Sequence, residues 1–458
     1  MTGRVYAHFI GIGGAGMSGI AHVLHERGLA VSGSDLKLSR YARQLTEEGI
    51  PVAIGHDASN LGDPEVVVVS SAIPDANPEL VEARRRGVDV WQRAKMLAHL
   101  AGDQRTVAVA GTHGKTSTSS MIAQMLTELG EDPTFLIGGE LNDMGANARH
   151  GRGRWYVVEA DESDGSFLHL SPHVAIVTNV EADHLDHYSG IDEVRETFAA
   201  FLARTDPEGV AVVCADDPAL RRIAAACPAP VVTYGRSPEA DVRLLALEQD
   251  GLGHRFTVSA GGAAVEGRIG VPGEHMVLNA AGALAVAQTL GLDLARAAEA
   301  LGRFTGVRRR FEFVGEVDGV TVVDDYAHHP TEVATTLAGA RKAGFERIWV
   351  VFLPHRYSRT AALGGDFGEV FEYADRVVLM DVYGAGETPI PGVSGKTIVD
   401  AVLEKRPRSR VAYFPHRTDV EPYVTALARP GDLVMTMGAG DVTAIGADLV
   451  RALAARRG

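Results

Sequence analysis

Gly111-Thr112-His113-Gly114-Lys115-Thr116 places two glycines, a lysine and a hydroxyl within one short run. An apolar stretch, Thr106 to Ala110, precedes it, and a helix-like stretch, Ser117 to Leu129, follows. Strand, glycine loop and helix in that order form a phosphate-binding loop. The glycines let backbone N–H groups turn inward around phosphate oxygens, and the helix N-terminus adds a favourable dipole. Lys115 then reaches the outer phosphates, and the Thr116 hydroxyl suits Mg²⁺. The usual pattern wants glycine where this chain has Ala108, so the loop is a shortened variant.

Another glycine loop, the first in chain order, Gly11-Ile12-Gly13-Gly14-Ala15-Gly16, lies between a strand, Val5 to Ile10, and a helix through Ile20, Ala21 and Leu24. A strand from Leu29 to Ser32 leads to Gly33-Ser34-Asp35, where an acid can bind a ribose or a base. Alone, this motif reads as the nicotinamide site of an NAD-dependent oxidoreductase. Its physical content is narrower: a diphosphate at a helix start, whichever nucleotide carries it. Ser70-Ser71 ends an apolar strand, Val66 to Val69, where open α/β sheets bind ligands. His22 and His25 share a helix face and read as solvated surface.

Acids cluster at two further strand ends. Trp155 to Val158 leads into Glu159-Ala160-Asp161-Glu162-Ser163-Asp164, and Val174 to Thr178 into Asn179 to His187. A carboxylate beside a phosphate loop is the usual second anchor for Mg²⁺. His184, amid acids, is a candidate ligand or donor near a second metal. Gly273 to Asn279 opens an alanine-rich helix, Ala280 to Leu290. Arg308, Arg309 and Arg310 follow a glycine in a hinge-like segment. Asp324 to Glu332, Leu353 to Thr360 and Gly438 to Val442 lie at later strand ends.

These groups need a scaffold of alternating strands and helices, which implies α/β units with mostly parallel sheets. A length of 458 residues suits about three domains. The net charge of −15 argues against a nucleic-acid or anionic-membrane partner. Cys214 and Cys227 match no zinc pattern and read as free thiols in a reducing cytoplasm. No apolar run approaches the ~18 residues that a membrane span requires.

Together, Gly111 to Thr116, Glu159 to Asp164, Asn179 to His187 and Arg308 to Glu312 resemble the ATP-dependent Mur ligases. The likeness runs nearly end to end. It implies three domains: a Rossmann-like unit at 1–101 for a UDP substrate, a central P-loop-type ATPase unit at 102–308, and a Rossmann-like unit at 309–458 that closes over the site. His8 to Gly19, Ser32 to Asp35, Asp324 to Glu332 and His355 to Thr360 fit the member that joins L-alanine to the lactyl carboxylate of UDP-N-acetylmuramate. A sister ligase using a recycled peptide is the nearest alternative, and a non-catalytic nucleotide-gated protein a more distant one. The resemblance implies ATP contacts at Gly111 to Ser117, Asn279, Arg310 and Asp325, with Lys115, His184 and Arg310 catalytic. It puts Mg²⁺ on Thr116 and Glu159, with His184 at a second metal. It puts the UDP substrate at Gly11, Gly13, Gly14, Ala15, Gly16, Asp35, Ser70 and Ser71, with Tyr326, His328, Arg356 and Arg359 near its muramoyl end or ATP. A monomer or homodimer without membrane insertion is implied. Two departures stand out. Met276 occupies a usual asparagine position, and Val194 to Leu202 lacks the lysine that many members carbamylate, leaving Glu193 or Glu196 as substitutes.

Overall fold

The computed structural model describes residues 5–163, 165–183 and 187–456. They form three sheets. The first is wholly parallel, in order Val52–Ile54 (β3), Val31–Asp35 (β2), Val5–Ile10 (β1), Pro64–Val69 (β4) and Asp89–Gln92 (β5). The order reverses between β1 and β4, where Ile10 pairs with Val69. The first glycine loop and Ser70-Ser71 therefore leave adjacent strand ends at a topological switch point, where such sheets bind ligands.

The second sheet has a parallel centre: Arg105–Ala110 (β6), Trp155–Glu159 (β9), Val174–Val177 (β10), Val210–Cys214 (β11) and Val231–Gly235 (β12). Thr134–Leu141 (β7) and Ala146–Arg149 (β8) extend one edge; the meander Val242–Asp250 (β13), Gly253–Ala260 (β14) and Ala263–Ile269 (β15) extends the other. β6 lies between β9 and β10, so both acidic strand ends flank the phosphate loop. The third sheet runs Glu312–Val317 (β16), Val320–Asp325 (β17), Asp432–Met437 (β21), Arg347–Phe352 (β18), Arg376–Leu379 (β19) and Val411–Tyr413 (β20). Only β16 is antiparallel. The ends of β17, β21 and β18 are neighbours, which gathers Asp325, Gly438 and the His355 segment.

Apolar runs such as Val66 to Val69 are buried as continuous strands between helical layers. Helix boundaries follow local chemistry. Asn77 caps the helix Pro78–Arg86, Pro78 fills its first position, and Gly87 ends it in the left-handed region at φ 70°. One hydrophobic core joins the first two sheets, through packing of the helix Ala15–Glu26 against β7 and β8. The third sheet has its own cores on its two faces, so it is built as a separate body hung on the Phe304 to Glu312 segment.

Several expectations shift. The second strand starts at Val31 and runs through Gly33, which sequence reading took for a turn. Glycine belongs there because a Cβ would lie 2.6 Å from the Phe9 carbonyl oxygen and the Ile12 side chain. The alanine-rich helix begins at Glu274, so Met276 and Asn279 lie in its first turns. Six strands, β3, β5, β7, β8, β16 and β20, were not anticipated. His22 is half-buried and bonded to Glu48 at 2.7 Å, not simple solvated surface.

A buried polar cluster ties β1, β2 and the helix Pro78–Arg86. The Glu79 carboxylate, 0% exposed, meets His8 Nε2 at 2.7 Å, Ser34 Oγ at 2.8 Å and His56 Nδ1 at 3.0 Å. Burial pushes its pKa upward, but hydrogen bonds from His8, Ser34 and His56 outweigh it and hold the group below the usual 4.5. A lowered folded-state pKa gives stability that is present above the unfolded value and lost as pH falls through the folded one. Melting temperature of the wild type should fall as pH drops below 4.5, and Glu79→Gln should flatten that dependence. Equal slopes in thermal melts would refute the assignment.

Candidate active site

The second glycine loop turns as sequence reading expects. Gly111 adopts φ 135°, and a Cβ there would lie 2.0 Å from Thr178 Oγ1. Asn179 clamps the loop from β10: its Oδ1 accepts the His113 amide at 2.9 Å, and its Nδ2 donates to the His113 carbonyl at 3.0 Å. Thr178 Oγ1 donates to the same carbonyl at 2.6 Å. The helix starts at Lys115, two residues earlier than expected, so Lys115 and Thr116 occupy its first turn.

Lys115 curls over its own loop. Its Nζ donates to the carbonyls of Gly111 at 2.6 Å and Thr112 at 3.2 Å, and to Glu162 Oε1 at 2.8 Å. Burial works to discharge the amine, but Glu162, Asp161 and Glu159 outweigh it and raise its pKa. Burial pushes the Glu162 carboxyl up to about 7, against the pull of Lys115. Thr116 Oγ1 donates to Glu159 Oε1 at 3.1 Å, and Glu159 Oε2 accepts the Gly138 amide at 2.8 Å. Hydroxyl and carboxylate oxygens side by side at the phosphate loop are the hard donors that Mg²⁺ takes, so this pair fits such an ion. His184 lies outside the described residues, as does Asp164. Glu193 and Glu196 are exposed and line neither cavity described below; Glu193 accepts both hydrogen bonds from Ser189 at 2.7 Å.

Two cavities adjoin the loop. One, of about 200 Å³, lies between His113, Gly114, Thr116 and Ser117, the helix start with Met276 and Asn279, and Arg310, Phe311 and Asp325. Val271, Pro272, Met276 and Phe311 supply apolar wall, and Asn279 Nδ2 lies 3.8 Å from Met276 Sδ. Asp325 accepts the amides of Phe311 and Ala327 at 2.8 Å; burial pushes its pKa up to about 6. The other, of about 570 Å³, is shared by all three sheets. The first contributes Ala15, Arg40 and Tyr41, the second Lys115, Thr116, Glu159 and Asp183, and the third Arg310, Tyr326, His328, Arg356 and Arg359.

Within it, His328 Nδ1 donates to the Tyr326 carbonyl at 2.9 Å, which leaves Nε2 as an acceptor. Burial lowers the His328 pKa to about 4 and that of His355 to about 3. Both imidazoles are therefore neutral near pH 7. Arg359 donates to His355 Nδ1 at 3.0 Å and to Asp183 Oδ1 at 3.0 Å, bridging two sheets. Arg356 has φ 68°, a costly conformation for a residue with a Cβ, at the mouth of the helix Tyr357–Leu363.

Of the first glycine loop, only Ala15 lines the shared cavity. Asp35 Oδ2 accepts the Gly13 amide at 2.9 Å and so shapes that loop. Ser70 is half-buried and Ser71 exposed at the switch point. Sequence reading missed Arg93, whose Nη1 would lie 2.9 Å from a Cβ on Gly16. It also missed Glu140, which pairs with Arg40 at 2.8 Å and Arg308 at 3.4 Å. A cation at a helix start after β5 was the available signal for the first; nothing local marks the second.

A glycine loop at a Rossmann-type switch point, a phosphate loop flanked by acids, and a third sheet delivering arginines and histidines define a nucleotide-dependent multidomain enzyme fold. The chain belongs to the Mur ligase family: it matches the Mur ligase family catalytic domain over residues 6–105, the Mur ligase middle domain over 109–287, and the Mur ligase glutamate ligase domain over 309–440. A UDP-N-acetylmuramate–L-alanine ligase of Rubrobacter xylanophilus is 52% identical, covering 97% of this chain and 99% of the relative. The namesake ligase of Saccharopolyspora erythraea is 49% identical, covering 97% and 92%. The crystal structure of UDP-N-acetylmuramate-alanine ligase MurC from Thermotoga maritima superposes with a TM-score of 0.84 at 30% identity, covering 99% and 100%. A murein peptide ligase from Psychrobacter arcticus gives 0.74 at 26% identity, covering 98% of both chains. No helix among the described residues is long and apolar enough to cross a membrane.

Proposed function

We propose that the protein is an ATP-dependent ligase that joins L-alanine to the lactyl carboxylate of UDP-N-acetylmuramate in peptidoglycan precursor synthesis. The observation that carries this reading is the shared cavity, where the phosphate loop of one sheet faces the arginines and histidines of another beside the first glycine loop. Near-full-length identity of 52% to a relative of that name supports alanine over a peptide as acceptor.

A carboxylate does not condense with an amine in water unless activated. The ATP γ-phosphoryl group passes to the lactyl carboxylate, giving an acyl phosphate and ADP. The neutral alanine amine attacks the acyl carbon, and phosphate leaves. ATP occupies the smaller cavity, its base against Met276 and Phe311 and its phosphates at Gly111 to Ser117. Lys115 exchanges Glu162 for the outer phosphates. Thr116 and Glu159 would hold Mg²⁺, which would supply neutralisation of the phosphate charge. Arg310 lines both cavities and is placed to follow the transferred group. His328, Arg356 and Arg359 position the acceptor and its carboxylate. Domain closure excludes water, which would otherwise hydrolyse the acyl phosphate.

The test is phosphate release from Mg²⁺-ATP with UDP-N-acetylmuramate, with and without L-alanine. Release that requires both, with amide product, is the expected result. Release without the UDP-sugar, or with a peptide in place of alanine, would overturn it. Glu159→Gln should raise the Mg²⁺ concentration for half-maximal rate about tenfold or more, because a carboxamide lacks the charge the ion needs; an unchanged Mg²⁺ titration would move the ion elsewhere.

A further inference from the structure

A cluster outside the Thr116–Glu159 pair joins the phosphate loop to the third sheet. His113 from the loop, Glu181 from the segment after β10 and His329 from the segment after β17 present ligand atoms that all lie within 4.8 Å of one another. His113 Nε2 is 3.4 Å from Glu181 Oε2, and the two imidazole centroids are 4.8 Å apart. His329 is 6% exposed. The Nε2 atoms of both histidines are buried: that of His329 has no hydrogen-bond partner among the described residues, and that of His113 has only the long contact to Glu181 at 3.4 Å. Buried ring nitrogens are normally satisfied, so one unpartnered and one weakly paired beside a single carboxylate point to a missing ligand.

The donor set decides its class. Two imidazole nitrogens and one carboxylate oxygen suit a borderline divalent ion such as Zn²⁺, whereas Mg²⁺ prefers oxygens alone. Outer partners that orient such ligands are in place. His113 Nδ1 is 3.2 Å from Glu332 Oε1, and Thr331 Oγ1 donates to Glu181 Oε2 at 2.8 Å. One contact opposes the site: His329 Nδ1 accepts the Thr331 amide at 3.3 Å as a helix cap. Ligation through Nε2 puts the ring proton on Nδ1 and gives up that long bond.

We infer that His113, Glu181 and His329 form an inter-domain site for a borderline divalent transition-metal ion, which ties the phosphate loop to the third sheet across the nucleotide cavity. His113 and Glu181 line that cavity, so the ion competes with ATP entry and holds the enzyme closed and idle.

The probes are Zn²⁺ and Co²⁺ added separately to full-length, metal-stripped, ATP-free protein. Calorimetry reads Zn²⁺ affinity, and visible absorption reads the coordination of Co²⁺. The expected result is one ion per chain, with Co²⁺ bands of a low-coordinate nitrogen-containing site. His329→Gln and Glu181→Gln should each weaken binding at least tenfold. Glu159→Gln, which alters the Mg²⁺ pair, should leave it within about twofold. Circular dichroism checks the fold of each variant, and Glu181→Gln keeps the test decisive if His329→Gln is unstable. Equal affinity in wild type and the folded cluster variants would overturn the proposal. So would loss of binding in Glu159→Gln alone.

Discussion

Lys115→Ala is expected to cut turnover at least about a thousandfold while leaving UDP-N-acetylmuramate affinity within about twofold. Phosphoryl transfer depends on positioning and charge neutralisation, and a cation aimed at the outer phosphates supplies several kcal/mol of that stabilisation. The amine is buried and already charged, so ATP gains it without a protonation step. The same burial raises a structural question, because removing Lys115 leaves Glu162 2% exposed beside Asp161. With its pKa already pushed up to about 7, Glu162 answers by taking a proton rather than by unfolding the loop. The variant should therefore melt near the wild-type temperature at neutral pH. Lys115→Arg should not rescue turnover, since a planar fork cannot follow the tight path over the Gly111 and Thr112 carbonyls. Calorimetry with UDP-N-acetylmuramate and phosphate release from ATP separate the two effects. Parallel loss of both in a folded variant would mean that the sugar nucleotide and ATP do not occupy different domains.

What the sequence made legible was the material at strand ends. Both glycine loops, Glu159, Asn179, Asp325 and the His355 to Thr360 segment lie where an apolar run stops, and short-range periodicity finds such places. Topology then does the gathering: β6 between β9 and β10, and β21 between β17 and β18. That order is long-range and is not written in any window of the chain. The same distinction explains the omissions. Glu162 matters through Lys115, 47 positions away, and Glu140 through Arg40 and Arg308 on two other units. β7 and β8 escaped notice because burial by the helix Ala15–Glu26, rather than alternation, stabilises them. His22 was read from its own helix, whereas Glu48, which engages it, belongs to the next one. Resemblance to a family supplied roles for residues, including His184, that local chemistry left open.

The three successive arginines are expected to separate sharply on substitution. Arg308 is exposed and reaches Glu140 at 3.4 Å, so Arg308→Ala should cost no more than about 1 kcal/mol of stability. Arg309 turns the opposite way. Its Nε donates to Asp324 Oδ2 at 2.9 Å and its Nη2 to the Gly438 carbonyl at 2.7 Å. Asp324 is 1% exposed and otherwise receives Thr436 Oγ1 at 2.6 Å. Arg309→Ala strands that carboxylate in the core, and breaking one side of a buried pair costs about 3–5 kcal/mol. Arg309 also has φ 61°, a left-handed conformation that only its neighbours' bonds hold in place. The loss should appear as early unfolding of the third sheet, whose cores are its own. All three border the shared cavity, but of the three only Arg310 also lines the nucleotide cavity, and it lies 4.0 Å from Glu332. Arg310→Ala should keep the melting temperature near wild type and lower kcat by about two to three orders of magnitude, through lost stabilisation of the transferred phosphate. Denaturant melts and steady-state rates on the three variants would read the separation directly. Equal loss of activity in all three at full stability would mean that the run acts as one diffuse positive patch, and the division into a surface pair, a buried pair and a nucleotide-cavity arginine would be wrong.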